Sequence, residues 1–190
     1  MRKLKLQMQM TLDGFVAGPN GAMDWLTLNW DNELNDYVKE ITDPVDCMVL
    51  GRKLAQGFIP YWASRPAGED PLGIEKINNT LKVVFTKTLV RSEWDNTVLA
   101  KDDLVDEITG LKNQYGKDIL AYGGVTFVSA LVKYRLVDEF HLFINPVTLG
   151  SGMTIFKGFA GHQNLVLKRS LAFPCGIVLL CYEPKPAAHV

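Results

Sequence analysis

The sequence predicts an α/β protein built on a central, mostly parallel sheet with flanking helices, and three observations point to it. Short apolar runs alternate with segments of helical periodicity through most of the chain. At two places, Gly51 and Gly123-Gly124, an apolar run ends in glycine and a helical pattern follows at once. After Asp138, three strand-like segments follow one another with no helix between them. Strands that alternate with helices pair in parallel through crossovers, whereas consecutive strands imply antiparallel pairing at one edge.

Taken in order, Leu4, Leu6, Met8 and Met10 alternate with Lys3, Lys5, Gln7 and Gln9. That period of two marks a first strand and not the apolar block of a signal peptide. Thr11 to Gly21 is a glycine-rich loop, of a kind that often closes over ligands. Leu34, Tyr37, Val38 and Ile41 share a helical face, with Asp31 and Glu33 near its start and a stop near Asp43-Pro44. Cys47 to Leu50 reads as a second strand, followed by Gly51-Arg52-Lys53 and a short helix through about Phe58. A loop from Pro60 to Gly73 leads to a short helix over 74–79 and a strand from Leu81 to Phe85, closed by Thr86-Lys87-Thr88. Thr97 to Leu99 reads as a strand, and Asp102 or Asp103 as the N-cap of a helix whose Leu104, Ile108 and Leu111 share a face. Ile119 to Tyr122 enters the glycine pair, and Phe127, Leu131 and Tyr134 align on the next helix. Asp138 to Val147, Leu165 to Leu171 and Ile177 to Glu183 are the closing strands.

The 190 residues suit one sizeable core, so residues 1–185 are read as a single domain and 186–190 as a tail. With 47% hydrophobic and 22% charged residues the composition is that of a folded globular chain. Twenty basic against 21 acidic residues, with no Lys/Arg block, argue against nucleic acid or an anionic membrane as partner. No apolar run approaches the roughly 20 residues of a membrane helix. Cys47, Cys175 and Cys181 are odd in number and lack metal-site spacing, so no disulfide framework and no metal are expected, and a reducing, cytoplasmic setting is.

Three strand ends carry polar or glycine-rich turns: Gly51-Arg52-Lys53, Thr86-Lys87 and Gly123-Gly124. Ligands of open parallel sheets bind outside the carboxyl ends of the strands, so the three turns are candidates for one elongated ligand. Glycines let backbone amides approach a pyrophosphate, and Arg52, Lys53 and Lys87 suit a phosphate monoester such as the 2'-phosphate of NADP. The chain has no GxGxxG after its first strand, so this is not the Rossmann arrangement.

These segments resemble the dihydrofolate reductase superfamily. Within it they are similar to the branch that holds the reductase domain of bacterial riboflavin biosynthesis, the RibD C-terminal domain, and its stand-alone relatives. The resemblance runs through Thr11-Leu12-Asp13-Gly14, Met48 to Lys53, Val83 to Lys87, Tyr122-Gly123-Gly124 and Leu136 to Phe156. It implies a dihydrofolate-reductase-like three-layer sandwich with an antiparallel C-terminal hairpin, an NADPH cofactor across the strand ends, and often a homodimer. It places Gly51, Arg52 and Lys53 at the adenosine phosphates, Thr86 and Lys87 near the 2'-phosphate, and Gly123 and Gly124 at the pyrophosphate and nicotinamide. Leu54 departs from the family's Thr, and Val125 stands where folate reductases often have a third glycine.

A reductase of this kind needs an acid to pair with the ring and deliver a proton. Glu33 is the positional candidate, and Asp13 and Asp24 compete with it. The expected activity is NADPH-dependent reduction of a small pterin-like or aminopyrimidine substrate, with 5-amino-6-(5-phosphoribosylamino)uracil the leading compound. Dihydrofolate reduction is one alternative, and a non-catalytic, dimeric nucleotide-binding module another. Arg65 and Lys157 are conceivable partners of a substrate phosphate. Trp25, Trp30, Tyr61 and Trp62 are candidates to stack on a planar ligand, and His141 reads as structural.

Overall fold

A computed structural model describes residues 1–26, 30–158 and 161–186. Residues 187–190, most of the expected tail, lie outside that set. Eight strands form one sheet in the order β4-β3-β2-β5-β1-β6-β8-β7. The strands are β1 (Leu4–Thr11), β2 (Val45–Gly51), β3 (Leu81–Phe85), β4 (Thr97–Ala100), β5 (Asp118–Ala121), β6 (Glu139–Asn145), β7 (Leu165–Ala172) and β8 (Val178–Pro184). The helices are α1 (Asn32–Thr42), α2 (Arg52–Ala63), α3 (Pro71–Asn79), α4 (Leu104–Asn113) and α5 (Val125–Lys133). The pairings from β4 through β6 are parallel, and β8 runs antiparallel to both β6 and β7. The parallel sheet with an antiparallel terminal hairpin is therefore present as the strand-helix alternation required.

The first strand lies at the centre, between β5 and β6, and its period of two sorts its side chains by face. Leu4, Leu6, Met8 and Met10 enter the main core with Val128 and Leu131 of α5 and Ile108 of α4. Gln7, on the alternate face, is nonetheless buried. Full burial of each such Leu contributes about 1.5–3 kcal/mol, so this core is the principal apolar driving force for folding. Leu34, Tyr37 and Ile41 of α1 pack on the opposite face, against Phe143, Leu179 and Phe173.

Two local expectations change. The helix expected to end near Phe58 runs on through Pro60 to Ala63, so the loop predicted from Pro60 begins only after it. Pro60 cannot donate to the preceding turn. Ile59 is buried and Phe58 and Trp62 are packed against core clusters on the sheet, and that burial carries the helix past the break. The following helix starts at Pro71, earlier than Ile74, because Asp70 accepts hydrogen bonds from the amides of Leu72 and Gly73. Of the two caps considered for α4, Asp103 is the one used.

Candidate active site

The sheet order brings the three glycine or polar turns side by side. β3, β2 and β5 are consecutive parallel strands, so Thr86-Lys87, Gly51-Arg52-Lys53 and Gly123-Gly124 all lie along one carboxyl edge. Gly123 (φ 135°) and Gly124 (φ 87°) adopt positive φ, which disfavours any side chain there. A Cβ on Gly124 would sit 3.5 Å from the Gly51 Cα, and one on Gly51 would come within 2.8 Å of the Phe127 Cβ. The Phe127 side chain thus leaves no room for a Cβ at Gly51, and positive φ selects glycine at 123 and 124.

The helices that start here differ from the other three. α1, α3 and α4 are capped by Asp31, Asp70 and Asp103, whose carboxylates accept from first-turn amides. α2 and α5 begin at Gly51 and Gly124 with no side-chain cap and no acidic residue in the first turn. Their orphan amides and positive dipole ends stand next to each other, beside the cationic Arg52 and Lys53. A dinucleotide's phosphates fit that donor set. Arg52 gives one N–H to Gln56 (3.2 Å). The Lys87 ammonium donates to the carbonyls of Lys101 and Asp102, which holds it at the end of β3 with one of its three donors left over. Thr86 is buried, and its hydroxyl accepts from the amides of Thr88 and Leu89. Leu54 lies against the glycine pair, its Cδ2 3.3 Å from where a Gly123 Cβ would be.

Beside this cradle opens a cavity of about 1060 Å³, roofed by α1 on one side and by α2 and α3 on the other. Its apolar wall includes Trp30, Phe58, Trp62 and Ile77, and its floor includes Gln7 and Gln9 of β1. Tyr122, directly before the glycine pair, joins cavity to cradle and stacks near Phe58 with ring centroids 5.1 Å apart. Burial pushes its phenol up to about 12, so it stays a proton-bearing hydrogen-bond donor at neutral pH.

The candidate acids fall elsewhere. Glu33 is exposed in the first turn of α1 and does not line the cavity; Asp36, one turn further on, does. Asp13 accepts from the Thr11 hydroxyl (2.6 Å) and from the amides of Leu149 and Gly150, and those bonds hold its carboxyl below the usual range. It clamps the loop after β1 to the segment after β6, reinforced by the Ala17–Met153 bridge. Asp24 is exposed in a turn and is not itself a lining residue, although Met23 and Leu26 on either side of it are. Of the aromatic candidates, Trp30, Tyr61 and Trp62 line the cavity and Trp25 does not. Gln7, Gln9, Asp36 and Tyr122 were not singled out by sequence. The signal for the glutamines was there: two uncharged polar residues on one face of a strand that proves central.

The strand order and the antiparallel hairpin define an α/β protein with the dihydrofolate-reductase-like fold. The chain belongs to the RibD C-terminal domain family, whose profile matches residues 2–179. It is 34% identical over 188 residues to the uncharacterised protein YyaP of Bacillus subtilis (strain 168), covering 96% of this chain and 95% of the relative. The diaminohydroxyphosphoribosylaminopyrimidine deaminase/5-amino-6-(5-phosphoribosylamino)uracil reductase of Thermotoga maritima shares the fold, with a TM-score of 0.70 and 19% identity over 97% of this chain and 57% of that one. Dihydrofolate reductase from Enterococcus faecalis, solved with NADP(H), superimposes with a TM-score of 0.57 and 14% identity, covering 96% of each chain. Among the described residues, no helix is long and apolar enough to cross a membrane.

Proposed function

We propose that the protein is an NADPH-dependent reductase of a small planar nitrogen heterocycle, pterin-like or aminopyrimidine. The observation that carries this reading is the pair of uncapped helix N-termini in contact at Gly51 and Gly124, beside Arg52 and Lys53 and opening onto the aromatic cavity. NADPH supplies the hydride when bound. The amides at Gly51 and Gly124 hold its phosphates, and Arg52, Lys53 and Lys87 face the 2'-phosphate. Trp30 and Trp62 confine the substrate ring and exclude water, which strengthens every polar contact made inside. The Tyr122 hydroxyl, where cavity meets cradle, donates a hydrogen bond to the ring atom on which negative charge develops. Asp36, exposed on α1 like Glu33, is the acid that stands at the mouth of the cavity. The three cysteines are free thiols, which suits the reducing cytoplasm. A homodimer is the working form, supported by β7, whose Leu165, Val166 and Leu167 stand exposed at the sheet edge.

The test is binding of NADPH and NADH by fluorescence, followed by absorbance loss with dihydrofolate and with 5-amino-6-(5-phosphoribosylamino)uracil. NADPH should bind more tightly than NADH, and Lys87→Ala should weaken NADPH by about tenfold while leaving NADH nearly unchanged. Failure to bind NADPH would remove the cofactor reading, and binding without turnover on any heterocycle would favour a nucleotide-binding module.

A further inference from the structure

The charge and hydrogen-bonding inventory of the cavity narrows the substrate beyond its ring class. Its charged lining residues are the carboxylates Asp36, Asp43, Glu69 and Asp70 and the ammonium groups Lys39 and Lys76. Both cations are engaged. Lys39 pairs with Asp43 at 2.6 Å, and Lys76 donates to the carbonyls of Asp43 (3.0 Å) and Val45 (2.7 Å). Three carboxylates remain without a cationic partner from the lining: Asp36, Glu69, which accepts from Tyr61, and Asp70, which caps α3. Arg65, one conceivable phosphate ligand, pairs instead with Glu75 at 2.6 Å, and neither it nor Lys157 lines the cavity. Among the described residues, an entering phosphate monoester, with roughly −1.5 to −2 charges at neutral pH, meets three carboxylates without a lining cation and two ammonium groups that already have partners.

Deeper in, three buried polar atoms lack a hydrogen-bond partner and belong to lining residues: the Gln7 Oε1 acceptor and the donors Gln9 Nε2 and Trp30 Nε1. Gln7 is only 4% exposed. An orphaned buried polar atom is costly, and an acceptor set with donors complements a cyclic amide, which offers N–H and C=O side by side. We infer that the substrate is a planar ring with a cyclic amide edge and no anionic substituent, read by Gln7, Gln9 and Trp30, and that the acidic mouth discriminates against phosphate- and carboxylate-bearing forms of the same ring. This rests on the cavity being the substrate site of the reductase proposed above.

The experiment compares compounds that share a ring and differ in charge: 5-amino-6-(5-phosphoribosylamino)uracil against its dephosphorylated form, and dihydrofolate against the same dihydropterin with a neutral side chain. Dissociation constants come from quenching of the cavity tryptophans with NADPH present, and NADPH affinity is measured separately. The uncharged member of each pair should bind at least about tenfold more tightly at low salt, with the gap closing as ionic strength rises. Asp36→Lys should narrow the gap by favouring the charged member, and Gln7→Leu should weaken both members about tenfold without changing NADPH affinity. Equal or tighter binding of the charged members overturns the inference and leaves the reductase reading standing. Binding of none of the four, with NADPH affinity intact, overturns both the inference and the assignment of the cavity.

Discussion

Glu139 sits where a histidine and two lysines converge. Its carboxylate accepts from His141 Nε2 at 2.6 Å, and Lys3 and Lys5 lie nearby. His141 Nδ1 meets the Tyr37 hydroxyl at 2.7 Å, so both ring nitrogens are occupied and the residue is packed structure, as its mid-strand setting suggested. Cys181 stands opposite His141 in the antiparallel ladder and completes the cluster. The hydrogen bond from His141, ahead of the lysine charges, lowers the Glu139 carboxyl to about 2. A depressed folded-state pKa stabilises the fold above the unfolded value of 4.5 and loses that contribution as pH falls through the folded value. Urea midpoints should therefore drop between pH 4.5 and 2, and Glu139→Gln should lower the midpoint at pH 7 while flattening that slope. An unchanged slope would mean that the carboxylate does not set acid stability. Reading single residues from sequence went furthest where one rule decides, narrowing the α4 cap to Asp102 or Asp103, of which Asp103 is used. It could not say that Glu33 stays off the cavity wall, because which side of α1 meets the cavity depends on how Leu34, Tyr37 and Ile41 seat on β6 and β8.

At the level of elements, the contrast among helix starts separates those whose first-turn amides an Asp satisfies from those that no side chain caps. An Asp cap contributes about 1 kcal/mol to a helix, and α2 and α5 go without one. Leu54, in the first turn of α2, covers part of Gly123 with an apolar side chain. Leu54→Thr should restore a hydroxyl beside the phosphates and tighten NADPH about 3–10-fold, the worth of one hydrogen bond to a charged group less the packing lost. A fluorescence titration reads this directly, and weaker binding would show Leu54 to be part of the cofactor's own wall. The glycine turns were legible as elements because a strand, a glycine and a helix are written consecutively. The helix through Pro60 was not, since burial of Phe58 and Trp62 against distant strands outweighs the local signal.

For the whole molecule, strand alternation in the sequence was enough to state a mostly parallel sheet with an antiparallel edge, and that sheet is observed. The cavity was less accessible. Its residues come from β1, α1, α2, α3 and Tyr122, and nothing in a linear pattern states that these elements face one another. The exposed apolar run Leu165 to Leu167 of β7 lies at the free edge of the sheet, where an unpaired strand can take up a partner. Light scattering should give twice the chain mass, and Leu167→Lys should shift the population to monomers. A monomer at all concentrations would leave the edge to another partner.

The contact between Gly51 and Gly124 also joins the two halves of the chain, since one turn comes from each. A dinucleotide seated there would act as a clasp across the molecule, present only in the native state. At a free concentration about 100 times its dissociation constant it would add about 2.7 kcal/mol to stability. For a chain of this size that corresponds to roughly 5–10 °C in the melting temperature. A melt with and without NADPH therefore reports on the cradle with no substrate in hand, and an identical curve would mean that nothing spans the two turns. With such a clasp, the protein's resistance to unfolding would become a gauge of the free reduced-nucleotide concentration.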